Sequence, residues 1–208
     1  MNKVIVARTL GITRLAAAFA STGSRNRGSK LPMRIAAAAR IIAALILLSA
    51  TAEAASVNIV ALGASNTYGH GQGRHPGGVP PSEAWPAQLE AMLRAKGIDA
   101  HVRNAGIPGD TTGGMLARLD SAVPPGTRLV IFQPGGNDRR RGAGAERAGN
   151  IAAIKHRLGA RHVRVIMIGP IQRIAPPSTH DPDGQHFNAR GHTAIARSLL
   201  PRVIAALR

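Results

Sequence analysis

The chain has 208 residues, 44% hydrophobic but only 2% aromatic, so there is room for one domain whose core is built from Ala, Val, Ile and Leu. It contains no cysteine, which excludes disulfides, thiolate metal centres, a cysteine nucleophile and a lipid-modified cysteine anchor. The 27 Lys and Arg against ten Asp and Glu give a formal net charge of +17, which fits either attraction to anions such as phospholipid, nucleic acid or a phosphorylated substrate, or simply a solvated arginine-rich surface.

Residues 1–55 carry +7 of that charge and read as an export signal region. Met33, Arg34 and Arg40 precede the apolar run Ile41-Ile42-Ala43-Ala44-Leu45-Ile46-Leu47-Leu48, and Ala52-Glu53-Ala54 follows. A basic start, a short apolar stretch and a small-x-small site make a signal peptide, with cleavage expected after Ala54 or Ala55. The run falls well short of the ~20 residues that a membrane span needs. Residues 1–32 are basic and lack acids, which suggests that Met33 is the true start; a long basic leader and an uncleaved membrane tether are the alternatives. No adjacent Arg pair precedes the apolar run, so the twin-arginine route is not indicated. The folded domain is expected to be residues 56–208, exported to the periplasm or secreted.

The first strand is expected at 57–62, apolar and β-branched. It runs into Gly63-Ala64-Ser65-Asn66-Thr67-Tyr68-Gly69. A serine hydroxyl attacks only when exposed and beside a base, and a sharp glycine-flanked turn after a strand supplies the exposure. Alone, such a turn is as well read as a turn and nothing more. The Gly-, Pro- and His-rich stretch 70–81 is expected to be a mobile loop beside this turn. His70, His75 and His180 lack the carboxylate spacing that a metal site would use, and no metal or organic cofactor is expected.

A helix is expected over 84–96, with Trp85 packing it against the sheet and a candidate for lining the pocket. A weaker strand at 101–104 leads into Asn104-Ala105-Gly106-Ile107-Pro108-Gly109-Asp110-Thr111-Thr112. Gly109 would let the backbone approach a ligand and present its N–H; Asp110 and Thr111 equally suit a helix cap for 112–123. The third strand, 129–133, ends in Pro134-Gly135-Gly136-Asn137-Asp138, where the Asn137 amide could donate to a developing oxyanion or simply form a turn. Arg139, Arg140 and Arg141 follow, as a solvated loop or as binding groups for an anionic headgroup or phosphate.

After a helix at 145–158 and a strand at 163–168, Asp183-Gly184-Gln185-His186-Phe187-Asn188 opens the last helix, 188–207. Three residues apart at a loop-to-helix junction, Asp183 can steady the tautomer of His186 while the imidazole reaches a nucleophile. The other reading is an N-terminal cap with an unrelated histidine. His192, one turn beyond Asn188, is expected to be a packed or exposed helix residue.

Strands alternating with helices imply parallel βαβ units, a three-layer α/β/α sandwich of the α/β class with a site at the carboxyl ends of the strands. Three of the motifs sit just after a strand, and the fourth opens the last helix. In their order, Ser, Gly, Asn and then Asp-x-x-His, they resemble the SGNH hydrolase family, the GDSL-like esterases and lipases, across nearly the whole of 57–208. By motif the chain is similar to the small bacterial arylesterase, acyl-CoA thioesterase and lysophospholipase enzymes.

The resemblance implies a flavodoxin-like fold with a four- to five-stranded parallel sheet. It implies Ser65 as nucleophile, His186 as base and Asp183 as its partner. The oxyanion donors would be Ser65, Gly109 and Asn137. The substrate would be a small or lipid-like ester or thioester; a carbohydrate O-acetylesterase of envelope polysaccharide and a non-catalytic module binding anionic polymers are the alternatives. No specific nucleic acid partner and no membrane span after signal cleavage are expected, and the oligomeric state is not indicated. The sequence departs from the family at Ala64, usually Asp, and at Asn66, usually Leu. The stretch 169–183, rich in proline, leaves room for a loop where a helix and fifth strand are common.

Overall fold

The computed structural model describes residues 56–70 and 77–208. The proposed export region and residues 71–76 of the glycine-rich loop lie outside the described residues. Among those described, four parallel strands form one sheet in the order β2-β1-β3-β4. They are β1 (Val57–Gly63), β2 (Ala100–Gly106), β3 (Thr127–Phe132) and β4 (Arg164–Met167).

Both faces of the sheet are covered, which is why the central strands are apolar runs without polar alternation. On one face Ile59 and Ala61 of β1 pack against α2 (Trp85–Ala95) and the last helix, α7 (Ala189–Leu207). Leu89 and Leu93 of α2 and Ile195, Leu199 and Val203 of α7 recur at helical spacing, so both helices bury one stripe. On the other face Val60 and Leu62 pack against α3 (Thr112–Ala117), α4 (Leu119–Ala122) and α6 (Arg147–Ala160). The helix expected over 112–123 is thus two short ones meeting at Arg118, whose φ of −99° and ψ of 12° depart from the helical values.

The register aligns the carboxyl ends of the strands. Gly63 lies opposite Gly106, and Leu62 opposite both Ala105 and Phe132. The chain leaves β1 for β2 on one side and then crosses to β3 on the other. Loops therefore diverge between β1 and β3, where sheets of this kind form a crevice. Two short helices begin there: α1 (Ser65–Tyr68) after β1 and α5 (Asn137–Arg140) after β3.

The sheet ends at β4. Beyond it the chain makes two 3-10 turns, Ile171–Arg173 and Pro177–Thr179, instead of a fifth strand. Pro170, Pro176, Pro177 and Pro182 deny this stretch the N–H groups a strand would pair. It still closes the core: Ile171 and Ala175 are buried in the α2–α7 face.

Candidate active site

The turn after β1 lifts Ser65 to the first position of α1. The close passage of β2 shapes this turn, because Gly106 lies so near that a Cβ there would sit 2.3 Å from the Tyr68 nitrogen and 2.8 Å from the Ala64 oxygen. Asn104 fastens the same turn, its Nδ2 donating to the Tyr68 oxygen at 3.1 Å. Ala64, where an aspartate was expected from the resemblance, is buried, and its Cβ lies about 3.7 Å from where a Cβ at Gly135 would be. A small side chain here lets the turns after β1 and β3 meet.

His186 arrives on the loop before α7. Its Nε2 lies 2.9 Å from Ser65 Oγ, although 121 residues separate the two in sequence. The other ring nitrogen, Nδ1, bonds Asp183 Oδ2. Asp183 Oδ1 accepts the backbone N–H groups of Gln185 and His186, each at 2.9 Å. Burial works against the charged carboxylate, but the bonds from the His186 ring and from these two N–H groups prevail and hold Asp183 well below the usual carboxylate range. The loop is pinned from two sides, by the nucleophile turn and by α5. Asn66 Nδ2 donates to the Gln185 oxygen at 3.2 Å, and Arg140 donates to Gln185 Oε1 at 2.5 Å. The unusual Asn66 thus has a task that a leucine could not perform.

Asn137 opens α5 and is 7% exposed. Its Nδ2 donates to the Asp110 oxygen at 2.7 Å, and its Oδ1 accepts from Arg140 at 2.7 Å. The amide is therefore fixed in orientation, with one N–H hydrogen tied to the loop after β2. Gly109, one residue earlier in that loop, has φ +77°, a conformation natural to glycine. Next to Asn137, the Asp138 carboxylate is fully buried and accepts from the Thr112 N–H at 3.0 Å and the Thr112 hydroxyl at 2.5 Å. Thr111, as expected, caps α3 by accepting from the Gly114 N–H.

Ser65, Asn137 and His186 line one cavity of about 590 Å³, whose wall continues through Ile151, Met167, Ile168 and Ile171. Gly109 does not line it; it lines a smaller hollow of about 340 Å³ together with Arg141. The three consecutive arginines therefore do not line one cavity together. Only Arg140 lines the large cavity, Arg141 borders the smaller one, and Arg139 lines neither. Successive helical residues point about 100° apart, so three in a row cannot converge on one point. Trp85 is wholly buried in the α2–α7 core and does not line the cavity.

Two contributors, Arg118 and Arg147, were not singled out from the sequence, and a third, His70, was weighed there only as a metal ligand. Arg118 ties the strand ends together, with its guanidinium on Asp110 at 2.8 Å and on the carbonyls of Ala105 at 2.9 Å and Gly63 at 3.2 Å. Arg147, the first residue of α6, lines the cavity and donates to the Gly135 oxygen at 2.9 Å. His70 stacks on His186 with ring centroids 3.9 Å apart and planes 24° apart. Its Nδ1 is 3.1 Å from Asp181 Oδ2 and its Nε2 is 3.5 Å from Asp183 Oδ2. Its φ of 120° is rare for a residue with a side chain, so the neighbouring contacts hold it there.

Ligand atoms of His70, Asp183 and His186 fall within 4.8 Å of one another, the spacing of a metal site. The stacking argues against one. Imidazole lone pairs lie in the ring plane, and two nearly parallel rings cannot both aim them at an ion about 2.0–2.1 Å away.

Residues 61–198 match the GDSL-like Lipase/Acylhydrolase family. The chain belongs to that family. It is 34% identical over 155 residues to Esterase TesA of Pseudomonas aeruginosa, covering 74% of this chain and 71% of that one. It is 35% identical over 99 residues to the Arylesterase of Vibrio mimicus, covering 47% and 46% respectively. The crystal structure of TesA shares the fold with a TM-score of 0.62 at 22% identity, over 72% of this chain and 99% of that one. The psychrotrophic esterase EstA from Pseudoalteromonas sp. does so with a TM-score of 0.61 at 20% identity, over 72% and 98%. As a GDSL-like acylhydrolase of the SGNH type, the protein is an ester-hydrolysing serine hydrolase.

Proposed function

We propose that the protein cleaves carboxylic ester or thioester bonds of small or lipid-like substrates through an acyl-enzyme intermediate on Ser65. The observation that carries this reading is the 2.9 Å contact between Ser65 Oγ and His186 Nε2, backed by Asp183 on the opposite ring nitrogen. With Nδ1–H donated to Asp183, Nε2 carries a lone pair and serves as the base. Ser65 Oγ attacks the carbonyl carbon as its proton passes to Nε2. The Ser65 N–H group and the second Asn137 amide hydrogen receive the oxyanion. His186 then protonates the leaving oxygen or sulfur, and water, deprotonated by the same ring, releases the acid and restores the hydroxyl. Asp183, held ionised, stabilises the imidazolium at each step.

The test is steady-state hydrolysis of p-nitrophenyl acetate together with labelling by a fluorophosphonate. The parent should turn over the ester and take the label on Ser65; Ser65→Ala should do neither. Equal hydrolysis by Ser65→Ala would overturn the assignment. A chain-length series of acyl esters and thioesters then ranks the leaving groups.

We further propose that the domain works outside the cytoplasm. The basic, apolar and small-residue pattern of residues 33–54 supports this reading. N-terminal sequencing of the protein from cell fractions tests it: a mature start at Ala55 or Ser56 in the periplasm or medium is expected, and an intact Met33 in the cytoplasm contradicts it.

A further inference from the structure

Two arginines, Arg140 and Arg147, line the cavity that holds Ser65 and His186, and among the described residues no Asp or Glu does. Unpaired arginines are ordinary in a chain with 27 Lys and Arg against ten Asp and Glu. What sets these two apart is how they are held. Arg140 bonds Gln185 Oε1 and Asn137 Oδ1, and Arg147 bonds the Gly135 carbonyl. All three partners are neutral acceptors, so they orient the guanidinium groups without neutralising them.

Arg118, Arg94, Arg157 and Arg161 show the contrast, since each meets a carboxylate. Among the described residues no carboxylate pairs with Arg140 or Arg147. Each guanidinium has five N–H donors; Arg140 commits two and Arg147 one to protein acceptors, which leaves both with unspent donors at residues that line the cavity. Such groups are the usual partners of carboxylate and phosphate oxygens. One part of the wall is apolar, from Ile151, Met167, Ile168 and Ile171, and the neutral side chains of Asn66, Gln133 and Gln172 border it.

We propose that the enzyme prefers esters that carry a second, anionic group, a carboxylate or phosphate, held by Arg140 and Arg147, with a short apolar segment against the isoleucine wall. The inference rests on the reading of Ser65 as nucleophile and adds the substrate class. Arg140 is placed beside the reacting centre through Asn137 and Gln185. Arg147 lies along the Gly135 wall, one helical turn before Ile151. Either could meet an anion borne on the acyl chain or on the leaving group.

Matched ester pairs test this on the full protein. The acyl arm compares phenyl hydrogen glutarate with phenyl butyrate. The leaving-group arm compares 4-acetoxybenzoate and 4-acetoxyphenyl phosphate with phenyl acetate, which also separates carboxylate from phosphate. In at least one arm the anionic ester should have a kcat/KM about tenfold or more above its neutral partner, mostly through KM, as a charge-assisted contact implies. Salt should shrink that ratio. The ratio divides out any general loss of turnover, so it is read in variants whatever happens to the neutral ester. Arg147→Gln and Arg140→Gln should each lower it several-fold, and Arg147→Lys should restore part of it. Ratios near or below one in every arm, or ratios unmoved in both glutamine variants, overturn the proposal while Ser65-dependent cleavage of the neutral esters leaves the catalytic reading intact. If no ester is cleaved at all, both fall together.

Discussion

His192, on α7, is fully buried, and its Nδ1 accepts the Trp85 N–H at 3.2 Å. That N–H is one of the unsatisfied donors at the start of α2, where Ala84 provides no side-chain cap. A histidine from one helix thus caps another. Burial, assisted by the like charges of His186 and His70, pushes the His192 pKa down from 6.5 to about 4. In the native protein the ring stays neutral, whereas the unfolded chain takes up a proton below about 6.5. The stabilisation is therefore fully present above pH 6.5, is lost as the pH falls, and is gone near pH 4. Each pKa unit is worth about 1.36 kcal/mol, so the total is about 3 kcal/mol, a large share of the ~5–15 kcal/mol typical of a domain. Asp183 acts in the same direction but only below its ordinary range near 3.8, so measurements stopping at pH 4.5 keep the two apart. Urea unfolding midpoints at pH 8, 6, 5 and 4.5 supply the assay. His192→Gln, which can accept the Trp85 bond but cannot ionise in this range, should start about 1–3 kcal/mol less stable at pH 8 through lost packing. It should then lose much less than the parent between pH 8 and 4.5. Parallel decline of the two proteins would refute the argument.

Three further outcomes follow from the geometry. Asn137→Ala should lower kcat for phenyl acetate by about 10²–10³, with KM nearly unchanged, since the amide acts on the oxyanion; a loss expressed in KM alone would contradict that role. Gly106→Ala would place a methyl 2.3 Å from the Tyr68 nitrogen, on backbone that cannot swing aside. It should cost about 1–3 kcal/mol in thermal unfolding and displace the Ser65 turn, with activity falling further than stability alone explains. His70→Ala should reduce kcat by about 2–10-fold, the equivalent of a stacking contact of ~0.5–1.5 kcal/mol, and His70→Phe should recover most of it if ring packing is what positions His186.

The strands and the order of the motifs were legible because both are local. Residues 57–62 and 129–133 are apolar enough that only a doubly covered sheet could bury them, and the structure pairs them as adjacent central strands. Ser65 was legible for a related reason: it follows a strand end, and a parallel register brings strand ends level, whereas Asp183 and His186 were marked by their spacing of three at the start of the last helix. The size of the sheet was open, and the prolines of 169–182 settle it in favour of four strands among the described residues.

The supporting shell was not legible, because it depends on which side chains cross between loops. Arg118 lies within a helical pattern and gives no local sign that it would span the carbonyls of Gly63 and Ala105. His70 sits in a stretch whose composition suggests only mobility, yet it lies flat on the ring of His186. The arginines show the same limit from the other direction. Adjacency in sequence grouped Arg139, Arg140 and Arg141, whereas the cavity takes Arg140 from that run and pairs it with Arg147, seven residues on. Arg140 ends α5 and Arg147 opens α6, so the intervening loop, and not a shared helix face, brings the two to one cavity. A side chain next to a motif is therefore weak evidence of a shared task.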